Sequence, residues 1–405
     1  LSASVLLILN LYPLVKYWAT NYGLANTPFG PQIKVVDKSE VKKPDIYYLV
    51  FDRYANEKVL KDVYNFDNSP FLNLLKDKGF YVASDSTANY PFTTFSLAMS
   101  LNLGYVPNNF KNRPDSGLYY TVMKDKLENN KAALFLKGQG YKFVNIGPWW
   151  TATKYNKNAD LDLYDPSGLV LLNKKIDLKE HELILFQDTI FWPFFSKLPT
   201  QVGPYNIFGL TFPSGKESSS RVIHRQTILH QFDSLKKMAR EPGPKFVFSH
   251  MLFPHDPYVF DKSCNAFRSR YTDEYTVYLD QLKCTNTKIQ QIVDYILSNS
   301  DTKPIIIIQS DEGPYPKAFR QNRDLNWGDA TLEMLQQKAE ILNAYYFPDK
   351  NYSKLYQSIS PVNSFRVIFD QYFGTDLGLI EDKHYFPESE KRRFFLLDMT
   401  DKFDK

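Results

Sequence analysis

Cysteine and glycine are both scarce in this chain of 405 residues, which contains only two cysteines and 17 glycines. Two cysteines are too few for a zinc site of paired CxxC motifs or for an iron–sulfur ligand set. Cys264 and Cys284 are either free thiols or one disulfide bridge, and a bridge would indicate an oxidising compartment. By closing a short loop, a bridge would stabilise the fold by about 3 kcal/mol in the chain-entropy model.

An excess of charge of one sign is also absent. The chain has 49 Lys and Arg against 45 Asp and Glu, a net charge of +4. Nucleic-acid-binding domains usually carry a strongly basic face. The composition therefore predicts no nucleic-acid partner. Aromatic residues, in contrast, make up 16% of the chain, which predicts a large core or an aromatic-lined cleft.

Long hydrophobic runs are few, and the most apolar stretch near the start is VLLILNLYPLV at residues 5–15. It is too short to span a bilayer alone, which takes about 20 residues. The Lys-Tyr-Trp that follows it is typical of the interfacial end of a membrane helix. We predict that residues 1–20 end a transmembrane helix, with a signal-peptide core and a buried amphipathic helix as alternatives. The polar residues 21–44 then predict a linker, and residues 45–405 one large domain.

Continuous apolar runs indicate strands that are buried on both faces of a parallel sheet. Six segments are strand candidates: Ile46–Phe51, Phe80–Ala83, Lys142–Ile146, Phe246–Phe248, Ile305–Ile308 and Ile341–Phe347. Segments of helical period lie between them: Ser69–Lys78, Ser96–Leu103, Asn129–Gly138, Val222–Ala239, Tyr275–Leu297 and Thr331–Ala339. This alternation predicts an α/β fold with a mostly parallel central sheet between helices. The Pro, Gly and Ser-rich stretch Ser196–Ser220 predicts a surface insertion or a lid.

Polar side chains follow three of these strands. Asp52 ends the first, His250 follows the strand at Phe246 with His255 close behind, and Asp311-Glu312 follows the strand at Ile305. The carboxyl ends of parallel strands meet at one edge of a sheet. Oxygen ligands of this kind suit Mg²⁺, Mn²⁺ or Ca²⁺, and histidine adds Zn²⁺. A single strand-end aspartate is more often a helix cap, but three such ends together favour a divalent metal site.

A second motif is NYPFTTFSL, which begins at Asn89 and leads into a helix that could start near Thr93. A hydroxyl at a helix N-terminus lies beside free N–H groups and the positive end of the dipole, which favours an attacking oxyanion and a bound phosphate. Thr94 and Ser96 are also available. An ordinary helix cap is the alternative.

These motifs, in this order, resemble the alkaline phosphatase superfamily. The resemblance is carried by VFD at Asp52, NYPFTTFSLAMSLN around Thr93, SHMLFPHDPY at His250 and His255, IIIIQSDEG at Asp311, and SPVNSFR from Ser360. The sequence is most similar to the bacterial membrane-anchored, sulfatase-like branch, which includes lipoteichoic acid synthases and phosphoethanolamine transferases. The similarity covers most of the chain, from about Pro44 to about Phe386.

The resemblance implies a role for each of these residues. Asp52 and Asp311 would be metal ligands, and Thr93 would be both the nucleophile and a ligand of the metal. His255, and also His250, would bind the anionic oxygens of the substrate or assist the leaving group. A metal would lower the pKa of the hydroxyl and neutralise the phosphoryl oxygens.

Two departures from the family pattern stand out. The superfamily usually has Asp-His-Gly after the late strand, whereas this chain has Asp311-Glu312-Gly313. Glu312 can ligate a hard cation, but its charge would repel a phosphate ester. The chain also lacks the Cys/Ser-x-Pro-x-Arg sequence from which sulfatases make formylglycine, so sulfate-ester hydrolysis is disfavoured.

The sequence thus predicts a metal-dependent phosphoryl or phospho-headgroup transferase or hydrolase. Its substrate would be a phosphorylated lipid or glycan of the cell envelope, its cofactor Mn²⁺, Mg²⁺, Ca²⁺ or Zn²⁺, and its location the outer side of the bacterial cell membrane. The alternative is a catalytically inactive relative that binds an envelope glycan or a partner. Trp149 and Trp150 either line a cleft or pack in the core.

Overall fold

The computed structural model describes Tyr12 and residues 27–34, 43–111, 118–164, 170–171, 174–175, 205–207, 210–212, 219–267 and 273–403. The strands are β1 Ile46–Phe51, β2 Tyr81–Val82, β3 Lys142–Ile146, β4 Leu161–Leu163, β5 Val170–Leu171, β6 Lys174–Lys175, β7 Tyr205–Ile207, β8 Leu210–Phe212, β9 Lys245–Met251, β10 Ile305–Gln309, β11 Asn343–Tyr346, β12 Tyr385–Pro387 and β13 Leu396–Asp398. The helices are α1 Glu57–Asp62, α2 Ser69–Asp77, α3 Thr93–Leu101, α4 Leu118–Glu128, α5 Lys131–Gly138, α6 Thr151–Lys154, α7 Ser219–Arg240, α8 Glu274–Asn299, α9 Lys317–Gln321, α10 Leu332–Ala339, α11 Pro361–Tyr372 and α12 Thr400–Phe403.

Seven strands form the central sheet, in the order β2-β11-β10-β1-β9-β3-β4. The five strands from β10 to β4 run parallel, and β11 and β2 complete the sheet antiparallel to their neighbours. β1 lies in the middle, between β9 and β10. The predicted fold class, a mostly parallel sheet between helices, is confirmed.

The side chains of β1 explain why the sheet is covered on both faces. Ile46, Tyr48 and Val50 belong to one hydrophobic core, whereas Tyr47, Leu49 and Phe51 belong to the other. Successive side chains of a strand point to opposite faces, so a continuous apolar run buries both. Helices α3, α5 and α11 cover the first face, and α2, α7 and α8 cover the second.

Part of the predicted linker packs on the domain instead of extending away from it. Phe29 is 1% exposed and meets Phe110 edge-to-face at 4.9 Å between ring centroids. Gly30 has a φ of +68°, and a Cβ there would lie 1.6 Å from the carbonyl oxygen of Asn102. Only glycine fits this approach. Residues 27–34 are therefore part of the folded unit.

The predicted transmembrane segment, residues 1–20, lies outside the described residues except for Tyr12. Among the helices that are described, none is long and apolar enough to cross a membrane. Most of the predicted insertion at Ser196–Ser220 is likewise outside them; β7 and β8 from this stretch join β5 and β6 in a four-stranded sheet. The cysteines form the disulfide Cys264–Cys284, which decides between the two alternatives left open by the sequence.

Candidate active site

Three strand ends bring Asp52, His250 and Asp311 together. The register pairs Val50 of β1 with His250 of β9 on one side and with Gln309 of β10 on the other. Asp52 follows β1 directly, and Asp311 lies two residues after the end of β10. The Asp52 Oδ2 and His250 Nε2 atoms are 3.5 Å apart, and one ligand atom from each of the three residues lies within 4.8 Å of the others.

The polar atoms of this group fit a divalent cation. Asp52 Oδ1, His250 Nε2 and both carboxylate oxygens of Asp311 are buried without a hydrogen-bond partner among the described residues. Buried polar atoms are normally satisfied, and an unpaired buried charge is costly. A cation bound by two carboxylates and an imidazole would satisfy all of them, and such a donor set suits Zn²⁺ or Mn²⁺.

Hydrogen bonds to its ring and to its main chain hold His250 in position. Its Nδ1 lies 2.8 Å from the hydroxyl oxygen of Thr153, and its main-chain oxygen accepts a hydrogen bond from Gln231. A partner on one ring nitrogen is the usual way to orient a metal-binding histidine. The family resemblance implied that His250 binds substrate, whereas the strand-end pattern grouped it with Asp52 and Asp311. In the structure its Nε2 lies beside these two aspartates.

Thr93 is the first residue of α3 and lines the same cavity as Asp52 and Glu312. Its hydroxyl is close enough to Asp311 to lower the pKa of that carboxyl. Phe92 is the N-cap and provides no side-chain hydrogen bond, whereas α1, α5, α8 and α10 have side-chain caps. The start of α3 thus leaves its first N–H groups available to an anion at the cavity.

Glu312 has a different environment from the other carboxylates. Its Oε1 is 2.6 Å from the Nζ of Lys338, which is fully buried, and 3.4 Å from the Nε of Arg53. Gly313 must be glycine, because a Cβ there would lie 2.2 Å from the carbonyl oxygen of Gln337. Glu312 Oε2 has no partner among the described residues, but Glu312 is not part of the three-residue group that converges on one point.

Burial raises the pKa of Asp311, and the charges of Asp52 and Glu312 raise it further. Burial also raises the pKa of Glu312, against the attraction of Lys338 and Arg53. Lys338 itself has its pKa lowered to about 8 by burial. Two of the three carboxyls therefore have raised pKa values, which is typical of residues at functional sites.

Asp52 is the exception among the carboxyls. Burial alone would raise its pKa, but His255, His250 and Arg53 outweigh burial and lower it. The pKa of His255 is lowered to about 4 by burial and by the charge of Arg53. His255 is therefore neutral near pH 7, and Arg53 is then the fixed positive charge beside Asp52.

The cavity in front of this group has a volume of about 350 Å³. Its lining includes His255 and both Trp149 and Trp150, so the tryptophans line a cleft. Three arginines also line it, Arg53, Arg323 and Arg393. Sequence reasoning missed all three as site residues. Arg53 directly follows Asp52 and could have been noticed, whereas no local signal marks Lys338 as the partner of Glu312.

Comparison with known proteins decides the family. The family model described as Sulfatase matches residues 63–363, which is well over half of the chain. The chain belongs to the Sulfatase family. A comparison of this Sulfatase-family chain with curated protein sequences gave no match.

The first of three similar solved structures supports the fold of this Sulfatase-family chain. The zinc complex of the C-terminal periplasmic domain of EcEptC from Escherichia coli is 12% identical, with a TM-score of 0.52 over 92% of this chain and 96% of that one. The periplasmic domain of the phosphoethanolamine transferase EptC from Campylobacter jejuni is 11% identical, with a TM-score of 0.43 over 85% and 94%. An alkaline phosphatase superfamily protein from Vibrio parahaemolyticus is 9% identical, with a TM-score of 0.48 over 90% and 79%.

Proposed function

We propose that this chain is a metal-dependent phosphoryl or phospho-headgroup transferase or hydrolase that uses Thr93 as its nucleophile. The observation that carries the proposal is the position of the Thr93 hydroxyl. It lies at the uncapped start of α3 and beside Asp311 of the unsatisfied Asp52–His250–Asp311 group. Membership of the Sulfatase family supports a hydrolase or transferase of this type.

Asp52, His250 and Asp311 would hold the cation, with Thr93 and Glu312 Oε2 as the remaining candidates for ligands. A divalent cation bound there supplies Lewis-acid stabilisation of the phosphoryl oxygens and lowers the pKa of a nearby hydroxyl. Zinc is present in the EcEptC structure, which supports Zn²⁺, while Mn²⁺, Mg²⁺ and Ca²⁺ remain alternatives.

In the proposed reaction, the Thr93 oxygen attacks phosphorus and the bond from phosphorus to the leaving oxygen breaks. This leaves a phospho-threonine and an alcohol, and attack by water or an acceptor hydroxyl then restores Thr93. The Nδ1 of His255 faces the main-chain oxygen of Asp256, so it must carry the ring proton. Nε2 then has a free lone pair and can accept a proton from the attacking hydroxyl.

Glu312 motivated the alternative of an inactive binding protein, because its charge would repel a phosphate. The ion pair with Lys338 offsets that charge, so the site as a whole is not made more negative by Glu312. We therefore favour the enzyme.

The substrate that we propose is a phosphorylated glycan or lipid of the cell envelope, reached on the outer side of the bacterial cell membrane. The Cys264–Cys284 disulfide supports an oxidising compartment, and the E. coli neighbour is a periplasmic domain. Anchoring through residues 1–20 remains a prediction from the sequence alone.

The test measures hydrolysis of a chromogenic phosphodiester by the full chain after metal removal and reloading with each cation. Thr93→Ala should reduce turnover by roughly a thousandfold or more, since the nucleophile is lost. A phosphoryl adduct on Thr93 should be visible by mass spectrometry in the parent chain. Thr94→Val is the matched control, because Thr94 also lines the cavity at the next position; it should retain the adduct and turnover. An adduct on Thr94, or equal turnover by the Thr93→Ala variant, would contradict the proposal.

A further inference from the structure

The cavity needs a fixed positive charge for a bound oxyanion, and its three arginines are not equivalent. Arg323 pairs with Glu390 at 3.3 Å, and Arg393 pairs with the same carboxylate, so one glutamate accepts from both. Arg53, in contrast, lies at the edge of the Asp52 group, one residue beyond Asp52 itself. Of the three arginines, Arg53 is therefore the closest in sequence to a residue of the proposed metal site.

Two carboxylates hold the guanidinium of Arg53 in a defined orientation. Its Nε contacts Glu312 Oε1 and its Nη1 contacts Asp256 Oδ1. Each carboxylate has a further cation of its own, Lys338 for Glu312 at 2.6 Å and Arg320 for Asp256 at 3.7 Å. Arg53 is therefore not the only cation that balances the charges of these two carboxylates. An arginine has five N–H donors in a planar fork, so the Nη2 edge remains available to a ligand in the cavity.

The main chain at Arg53 is also unusual. Its φ is +63°, a left-handed conformation that residues other than glycine seldom adopt. The structure holds it there through a hydrogen bond of 2.9 Å from the Tyr278 hydroxyl to the Arg53 carbonyl oxygen. The guanidinium lies 4.9 Å from the centre of the Tyr315 ring, which supports it from one side. Unfavourable backbone conformations of this kind persist where the surroundings impose them, often at functional sites.

We propose that Arg53 binds a non-bridging oxygen of the phosphomonoester or phosphodiester substrate, and that Glu312 and Asp256 are the positioning residues that hold its guanidinium. This assignment rests on the proposed function for the class of substrate. In this assignment, Glu312 Oε1 binds two cationic side chains, those of Arg53 and Lys338. It also explains how the site tolerates a glutamate where the family usually has histidine, because the buried Lys338 balances the glutamate while Arg53 faces the substrate.

The test measures equilibrium binding of orthovanadate and of inorganic phosphate to the full, metal-loaded chain by calorimetry. Arg53→Gln should weaken binding of both anions by about ten- to hundredfold, the usual effect of losing a charge-assisted hydrogen bond. Arg53→Lys should restore only part of the affinity, because an ammonium lacks the planar fork. Arg240→Gln is the matched control: it removes one positive charge at an exposed position that does not line the cavity.

Metal binding by each variant is the internal control for folding, since Asp52 adjoins Arg53. The assignment is overturned if Arg53→Gln binds metal and orthovanadate as the parent chain does, or if Arg240→Gln loses as much anion affinity as Arg53→Gln. It is also overturned if the metal-loaded parent chain binds neither anion. A parent chain that binds anions through Arg53 but forms no adduct on Thr93 contradicts the proposed function and leaves the assignment of Arg53 standing.

Discussion

At the scale of the residue, Asp311 is placed where a carboxylate by itself destabilises the fold. The residue is 2% exposed, and apart from the nearby Thr93 hydroxyl neither of its oxygens has a hydrogen-bond partner among the described residues. Burial and the neighbouring acids raise its pKa. Active sites commonly hold such groups at a cost in stability.

Asp311→Asn should therefore have opposite effects with and without metal. In the metal-free chain the amide removes a buried acid that lies near the charges of Asp52 and Glu312, and we expect the free energy of unfolding to rise by about 1–3 kcal/mol. In the presence of metal the parent chain should gain roughly 2.7 kcal/mol at a cation concentration 100 times the dissociation constant, and the variant should gain little. Thermal unfolding with chelator and with each cation measures both effects.

The same comparison has a defined dependence on pH. A carboxyl whose pKa is raised by folding contributes stability below its unfolded pKa, about 3.9 for aspartate, and loses that contribution as the pH rises through its folded pKa. The free energy of unfolding of Asp311→Asn should thus exceed that of the metal-free parent chain by an amount that increases with pH above about 4.

The half-buried Asp382, which accepts hydrogen bonds from Ser360 and Asn363, is the control: Asp382→Asn should lower stability. A metal-free Asp311→Asn variant less stable than the parent chain would mean that Asp311 is satisfied without a cation.

At the scale of the element, ionisable groups lie at both ends of β1 and β9, two of the three central strands. The carboxyl ends of β1, β9 and β10 bring together the Asp52 group. At the other end, Asp45 precedes β1 and pairs with the Nζ of Lys245, the first residue of β9; both are buried. Asp45 Oδ1 also accepts a hydrogen bond of 3.0 Å from the Lys245 main chain, and its carbonyl accepts one of 2.8 Å from Ile305. These contacts fix the register in which the strands start.

Removing one partner of this pair should be costly. Asp45→Ala leaves a buried ammonium without its counter-charge, and we expect a loss of about 3–5 kcal/mol in the free energy of unfolding. The double variant with Lys245→Met should recover much of this loss, because no uncompensated charge then remains. Denaturant unfolding of the single and double variants measures the coupling. The metal-dependent stabilisation should be unchanged, since the pair lies at the opposite end of the strands from Asp52; a reduced metal response would show that the strand register had shifted.

At the scale of the whole molecule, the folded unit extends further toward the N-terminus than composition suggests. Phe29 is buried against Phe110, and the Lys131 ammonium donates a hydrogen bond of 2.9 Å to the carbonyl oxygen of Gly30. A polar, proline-containing stretch looks like a linker in composition, but one aromatic anchor and one glycine allow it to pack. The unit that must be intact for the site to form includes this segment.

Phe29→Ala should lower the free energy of unfolding by about 3–5 kcal/mol, the usual cost of deleting a buried aromatic side chain. Lys34→Ala is the matched control, because Lys34 is exposed in the same segment and surface substitutions usually change stability by less than about 0.5 kcal/mol. A chain shortened to begin at residue 43 should be at least as unstable as Phe29→Ala. Equal melting temperatures for Phe29→Ala and Lys34→Ala would mean that the segment does not contribute to the fold.

The sequence alone determined what depends on local pattern. Continuous apolar runs predicted β1, β9 and β10, because a strand that buries both faces must be apolar throughout. The polar residues at their ends predicted that Asp52, His250 and Asp311 would lie at one edge of the sheet. Only the tertiary structure decided which charged side chains pair with one another. Arg53 and Glu312 are 259 residues apart in the chain, and Lys338 reaches Glu312 from α10. Such pairings depend on which side chains the sheet and helices bring within a few ångströms, and no periodicity or spacing in the sequence encodes that distance.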